Sequence, residues 1–129
     1  MEGLIPVRTD MRQDDKERMG MHNNAIVIFI TAGSMNDGEK IARALVEDRL
    51  AACCNIIPGI QSIYRWKGQV NQDQEVLLIV KSVVERIEDI KKRVRELHAY
   101  EVPELIVLTI SDGLQDYLQW IEKETAPGC

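Results

Sequence analysis

The chain has 129 residues, 45% hydrophobic and 29% charged, a globular composition that fits one domain better than two. Its formal net charge is -5, from 16 Lys and Arg against 21 Asp and Glu, so the basic footprint of a nucleic-acid binder is missing. No uncharged apolar run approaches the roughly 20 residues that cross a bilayer, and aromatics are scarce at 5%, which leaves the core to Ile, Leu, Val and Ala.

Residues 1–24 form a separate compositional block. Asp10, Arg12, Asp14, Asp15, Lys16, Glu17 and Arg18 mix charge without an apolar face, which predicts a flexible N-terminal extension. Met11, Met19 and Met21 are candidates for a start further downstream. Residues 25–129 are then the single folded domain. An odd set of three cysteines without a secretory apolar segment points to a reducing, cytoplasmic setting.

Order is expected from Ala25. Ile26 to Ile30 is a continuous β-branched and apolar run, which predicts a strand buried on both faces. Ser34 is an N-cap candidate, with Asp37 and Glu39 in the first turn of a helix that carries Ile41 and Leu45 on one face. That helix should end near Arg49 or Leu50. An extended region follows from Ala51 to Trp66, with a bend or bulge at Pro58-Gly59. Lys67-Gly68 begins a hairpin connection to Val76–Lys81, with residues 71–73 either widening it or lying in strand. Ser82 to Glu85 has a capping-box pattern opening a second helix, on which Ile87, Ile90, Val94 and Leu97 recur at helical spacing. Pro103 stops that helix. Leu105 to Ile110 reads as strand, Asp112-Gly113 as turn, and Leu114, Tyr117, Leu118 and Ile121 as one face of a short last helix.

The expected fold is α+β, with the ferredoxin-like split βαβ order β-α-β-β-α-β plus a C-terminal helix. Two helices cover only one face of such a sheet. Ile26–Ile30 and Val76–Val80 are apolar on both, so self-association is the simplest cover for the second. The cluster Lys91, Lys92, Arg93 and Arg95 is interleaved with Glu88, Asp89 and Glu96, as on a solvated helix face with i,i+4 pairs.

Few residues carry chemistry by spacing alone. His98, at the end of the second helix, is a candidate for binding the last helix carbonyls, for a metal ligand or for a general base. Glu104, just past Pro103, is its nearest carboxylate candidate. Cys53 and Cys54 point to opposite faces of a strand, which disfavours one shared ion. One reads as a small buried hydrophobe, the other as a possible reactive thiol. Tyr64 and Trp66 share a face on the hairpin, as a packed contact or a stacking surface. Lys81 ends the opposite strand, where it offers a charge to an anion. No P-loop, GxGxxG or Ser nucleophile elbow occurs, and no nucleophile-and-base pair is readable, so a non-enzyme is expected.

Three segments and a fourth shorter one occur together in order: residues 51–59 (AACCNIIPG), 62–68 (SIYRWKG), 98–104 (HAYEVPE) and 117–120 (YLQW). In this combination the chain resembles the CutA divalent-cation tolerance family over about residues 25–124. The resemblance implies ferredoxin-like subunits in tight homotrimers, cytoplasmic bacterial members tied to tolerance of copper and other divalent metals, and animal members linked to acetylcholinesterase processing or anchoring. It implies copper contacts at His98 and Glu104, and an inter-subunit cleft lined by Tyr64, Trp66, Lys81 and Tyr100. Some bacterial members place a metal-binding Cys at the end of the first strand; here Ile30 stands there. That removes a soft ligand for Cu(I) and leaves Cu(II) or Zn(II) on imidazole and carboxylate. The expected function is therefore a homotrimeric copper or divalent-cation tolerance protein. The alternatives are a trimeric PII-like sensor of an anionic small molecule and a scaffold for an unknown protein partner. No nucleic acid or membrane partner is expected.

Overall fold

The computed structural model of the protein describes residues 23–128. Four strands run in chain order as β1 (Ala25–Ala32), β2 (Cys53–Trp66), β3 (Gln69–Val83) and β4 (Leu105–Thr109). Helix α1 (Met35–Glu47) lies between β1 and β2, α2 (Ile87–Leu97) between β3 and β4, and α3 (Gln115–Glu124) closes the chain. The strands form one sheet in the spatial order β2-β3-β1-β4, with every neighbouring pair antiparallel. Two interleaved β-α-β units follow from that order, since β1 and β2 both oppose β3, and β3 and β4 both oppose β1. No helix among the described residues is long and apolar enough to cross a membrane.

The local signals act much as read. Ser34 Oγ accepts the Asp37 amide at 3.1 Å and starts α1. Gly38, Ile41, Ala42 and Leu45 form its buried face. The helix stops at Glu47, and Arg49 turns the chain with φ 60° so that the Leu50 amide reaches the Leu45 carbonyl at 2.9 Å. Register shifts between Ile57 and Ile60, which places a bulge at Pro58-Gly59. Lys67 and Gly68 both have positive φ, 51° and 78°, as a two-residue type I′ hairpin demands. Residues 71–73 are strand. The basic cluster is a solvated face, although its pairs within the helix are i,i+3 and not the expected i,i+4: Lys91 with Glu88 and Arg93 with Glu96, both at 3.2 Å, while Arg93 also reaches Asp48 at 3.2 Å.

Two expectations need correction. The Ser82 capping box does not form. β3 runs on to Val83 because Ile26 and Ala25 still pair with Ser82 and Val83. The buried Ser82 hydroxyl donates to the Leu50 carbonyl at 2.6 Å instead, and a 3-10 turn at Val84–Arg86 leads into α2, whose start has no side-chain cap. Asn23 and Asn24, read as the end of the extension, are tied to the fold. The Asn23 side chain accepts from the Ala25 amide at 2.7 Å, and the Asn24 carbonyl accepts from the Val84 amide at 3.0 Å. Residues 1–22 of the expected extension, and Cys129, lie outside the described residues.

The core sits between the sheet and the α1/α2 layer. Ile26, Ile28, Ile30, Leu78 and Val80 point into it and meet Ile41, Leu45, Ile87, Ile90 and Val94. Side chains alternate along a strand, so Val27, Phe29, Leu77 and Ile79 point the other way. On that second face α3 covers one end only, packing Leu118 and Ile121 against Ala25 and Val83. The middle is open: Val27, Phe29, Leu77 and Ile79 are half-buried, and Ile106 and Leu108 are 49% and 40% exposed. Beyond the bulge, β2 and β3 continue as a two-stranded arm that exposes Ile63 and Val70.

Candidate functional site

At the end of the sheet away from α3, the C-terminal turn of α2 meets β1 and the root of the arm. His98 is the C-cap of α2, its backbone turning to an extended conformation at φ -76° and ψ 138°. Its ring does not fold back onto the helix carbonyls. Nε2 lies 2.6 Å from the Thr31 carbonyl oxygen, and Nδ1 accepts the Tyr100 amide hydrogen at 3.1 Å. A carbonyl only accepts, so Nε2 carries the proton and Nδ1 the lone pair. Both ring nitrogens are therefore engaged within the chain.

Tyr100 extends from this clasp. Its ring packs beside the His98 ring with centroids 4.7 Å apart. Its hydroxyl donates to Glu75 Oε2 at 2.6 Å and lies 3.0 Å from where a Cβ on Gly33 would sit. Glu75 is only 8% exposed. One step further along the same alternation of β3, Tyr64 donates its hydroxyl to Asp73. Burial first, then the bond to Glu75, raise the Tyr100 phenol above its ordinary pKa. The bond to Asp73 is the leading cause of the upward shift at Tyr64. The result is a pair of tyrosine-capped carboxylates at the arm's root, closed on one side by His98.

The other candidates lie elsewhere. Glu104 is exposed, and no hydrogen bond or ion pair joins it to His98 among the described residues. Trp66 is at the tip of the arm, opposite Gln69, with the Lys67 ammonium 5.6 Å from its ring centroid. Lys81 is twelve residues from Gln69 along β3, on the order of 40 Å in a strand, and its ammonium donates to the Asn55 side-chain carbonyl. The chain therefore brings Tyr64, Tyr100 and His98 to one place and leaves Trp66 and Lys81 at opposite ends.

The two thiols part as the alternation predicts. Cys54 packs against the helix-side core, where burial, with a smaller push from Cys53, raises its thiol to about 12. Cys53 faces the open side with Asn55 and Lys81. Ile30 is fully buried in the helix-side core, so the strand position of the soft ligand is apolar and enclosed here.

Spacing missed Glu75, Asp73 and the Thr31 carbonyl. A carboxylate at Glu75 in the same alternation as Leu77 and Ile79 was a readable anomaly. The Thr31 contact joins residues 67 positions apart and leaves no local mark. As a preformed metal centre the cluster does not fit: neither imidazole nitrogen offers a free lone pair, and among the described residues no three His, Cys, Asp or Glu side chains converge.

Comparison with known proteins places this geometry. The "Divalent-cation tolerance protein CutA" of Thermus thermophilus is 50% identical over 99 residues, covering 77% of this chain and 96% of its own. The human "Protein CutA" is 44% identical over 97 residues, covering 75% of this chain, which spans only 54% of that relative's length. Among solved structures, the Thermus thermophilus divalent cation tolerance protein superposes with a TM-score of 0.77 at 48% identity, over 79% of this chain and 99% of its own. One from Archaeoglobus fulgidus, named a periplasmic divalent cation tolerance protein CutA, gives 0.76 at 36% identity, over 78% and 98%. Residues 26–124 match the family described as CutA1 divalent ion tolerance protein, and with a relative at 50% identity across nearly its full length the chain belongs to that family.

Proposed function

We infer that the chain acts in divalent-cation tolerance as a homotrimer of ferredoxin-like subunits, and meets Cu(II) or another divalent cation weakly at a subunit boundary near His98 and Glu104. The reading is of a cytoplasmic binding protein, not a catalyst. The observation that carries it is the open apolar face, Val27, Phe29, Leu77, Ile79, Ile106 and Leu108, which Tyr64 and Trp66 extend along the same face of the arm, while Ile63 and Val70 are exposed on the arm's other face. Apolar area of that kind, contiguous and lacking cover within the subunit, is what association buries. Assembly also supplies the only route by which Trp66 of one copy reaches the sheet of another. Weak binding follows from His98: a cation must displace a bond that the imidazole already makes, and pays that cost from its own affinity.

The test is native mass spectrometry of the full chain, prepared without chelators or metal columns, followed by a Cu(II) titration of the wild type and of His98→Ala. The expected result is the mass of three chains and a weak cation adduct that His98→Ala loses. A single-chain mass at micromolar concentration overturns the assembly. An adduct that survives His98→Ala overturns the site, and an organic adduct in place of a metal favours a small-molecule sensor.

A further inference from the structure

We propose that the aromatic and acidic cup on α3, formed by Leu114, Asp116, Tyr117 and Trp120, takes a cationic side chain, and that its occupant is the arm tip of a second copy, with Arg65 and Lys67 at Asp116 and Trp66 against the rings. This contact presupposes the association inferred above, and adds to it the two surfaces that meet.

The cup lies on the outer side of α3. Leu118 and Ile121 face the sheet, and Tyr117 and Trp120 are left exposed beside them. With Leu114, Gln115 and Asp116 the two rings line a depression of about 590 Å3. Their centroids are 5.5 Å apart, so they offer one aromatic surface. Leu114 is 81% exposed. Asp116 is exposed and forms no ion pair or hydrogen bond among the described residues. Its full negative charge outweighs the roughly +0.5 charge of the helix's N-terminal end, and Asp112 adds a second carboxylate nearby in the chain. A carboxylate beside aromatic faces is what an ammonium or guanidinium group seeks.

The arm tip supplies the complement. Between residues 61 and 72 the only charged side chains are Arg65 and Lys67. Both are exposed, Arg65 has no ion pair or hydrogen bond among the described residues, and Lys67 lies over Trp66. The tip cannot serve the cup of its own chain. Tyr117 lies against Cys53, which pairs with Lys81, on the order of 40 Å along β3 from the turn at Gln69. Tip and cup are therefore at opposite ends of one subunit and meet only between copies. Such a head-to-tail contact joins two different surfaces, and it closes when the rotation between copies makes a ring. Tyr64 and Trp66 point to the side of the sheet on which α3 lies, so two open faces brought together also bring Trp66 to the side of the cup.

The test is the rate at which isotope-labelled and unlabelled copies of the full chain exchange subunits, followed by native mass spectrometry. Arg65→Glu/Lys67→Glu and, separately, Asp116→Lys are each expected to speed exchange about 10-fold or more, with unchanged far-UV circular dichroism. Joined in one chain, the substitutions reverse both partners and are expected to bring the rate back to within about 3-fold of wild type, a rescue that damage to either surface alone does not give. Wild-type rates in both partial variants overturn the contact, and so does fast exchange without rescue. A single-chain mass for the wild type overturns the association together with the contact. A free organic cation is the competing occupant, and arginine amide is its probe. In Trp66→Phe the remaining indole is Trp120, and its fluorescence in the assembled protein is expected to ignore arginine amide because the cup is filled. A fluorescence change that Asp116→Lys abolishes would show the cup open in the assembly, and overturn the arm as its occupant.

Discussion

Ile28 and Phe29 are neighbours on β1 with opposite fates. Ile28 is fully enclosed beneath α1 and α2, whereas Phe29 is half-buried on the side that only α3 touches, and only at one end. The two faces are built from the same kind of residue. What differs is that the chain supplies a cover for one and not for the other. A strand apolar on both faces therefore shows that neither face favours water, not which element covers the second one.

That contrast predicts opposite responses to substitution. Ile28→Ala empties part of an enclosed core and is expected to cost about 2–5 kcal/mol in urea unfolding. Ile106→Asp, at a site 49% exposed in the subunit, is expected to cost the subunit's own fold no more than about 0.5 kcal/mol. Its effect should fall on assembly, because a covered Ile106 leaves a carboxylate no water. Light scattering on both variants separates the cases. An unchanged mass for Ile106→Asp means that the subunit contact is not this face.

Helix α1 tests how tightly the covered face is closed. Gly38 sits so near the sheet that an added Cβ would lie 2.8 Å from Val76 Cγ2 and 3.3 Å from Leu78 Cδ2. In an exposed helix Gly→Ala gains about 1 kcal/mol. Here both neighbours are buried and Val76 has little rotamer freedom, so overpacking of about 1–3 kcal/mol outweighs that gain. Gly38→Ala should lower the melting temperature, and a rise would show that the helix can lift off the sheet without loss. Ser82→Ala comes next in size. It removes the donor to the Leu50 carbonyl and should cost about 1–2 kcal/mol, measured by the same unfolding.

The fold was legible because its signals are local. The Ser34 cap, the period of Ile41 and Leu45, the turn at Lys67-Gly68 and the apolar runs of β1 and β3 each declare themselves within a few residues. The one false local signal, at Ser82, failed because strand pairing with Ile26 outcompeted a cap that sequence spacing made equally plausible. The site was less legible for the opposite reason. His98 is visible as a residue, but its chemistry is set by a carbonyl on β1 and an amide two residues on. Glu75, the buried partner of Tyr100, lies 25 positions away. Spacing lists candidate ligands; it does not tell which lone pairs are already used.

The smallest effect compares the two faces within one dipeptide. Cys54 points into the helix-side core and Cys53 toward the open side. Burial raises the Cys54 thiol from 9.0 to about 12, so at pH 8 only on the order of one thiol in ten thousand is thiolate. Since thiolate is the nucleophile, iodoacetamide at pH 8 should leave Cys54 unmodified in the folded protein and modify it readily in urea. The same shift has a sign for stability. Folding favours the neutral thiol, so its contribution is complete below pH 9 and is lost as pH rises toward about 12; the raised Tyr100 phenol pulls in the same direction. Unfolding midpoints should therefore fall above pH 9, with a shallower fall in Cys54→Ala. Cys53 then separates cover by the chain from cover by a neighbour. If the open face is buried between subunits, Cys53 should be alkylated faster in Ile106→Asp than in the wild type, while Cys54 stays silent in both. Equal Cys53 rates in the two proteins would place Cys53 outside the contact and confine it to the rest of the face.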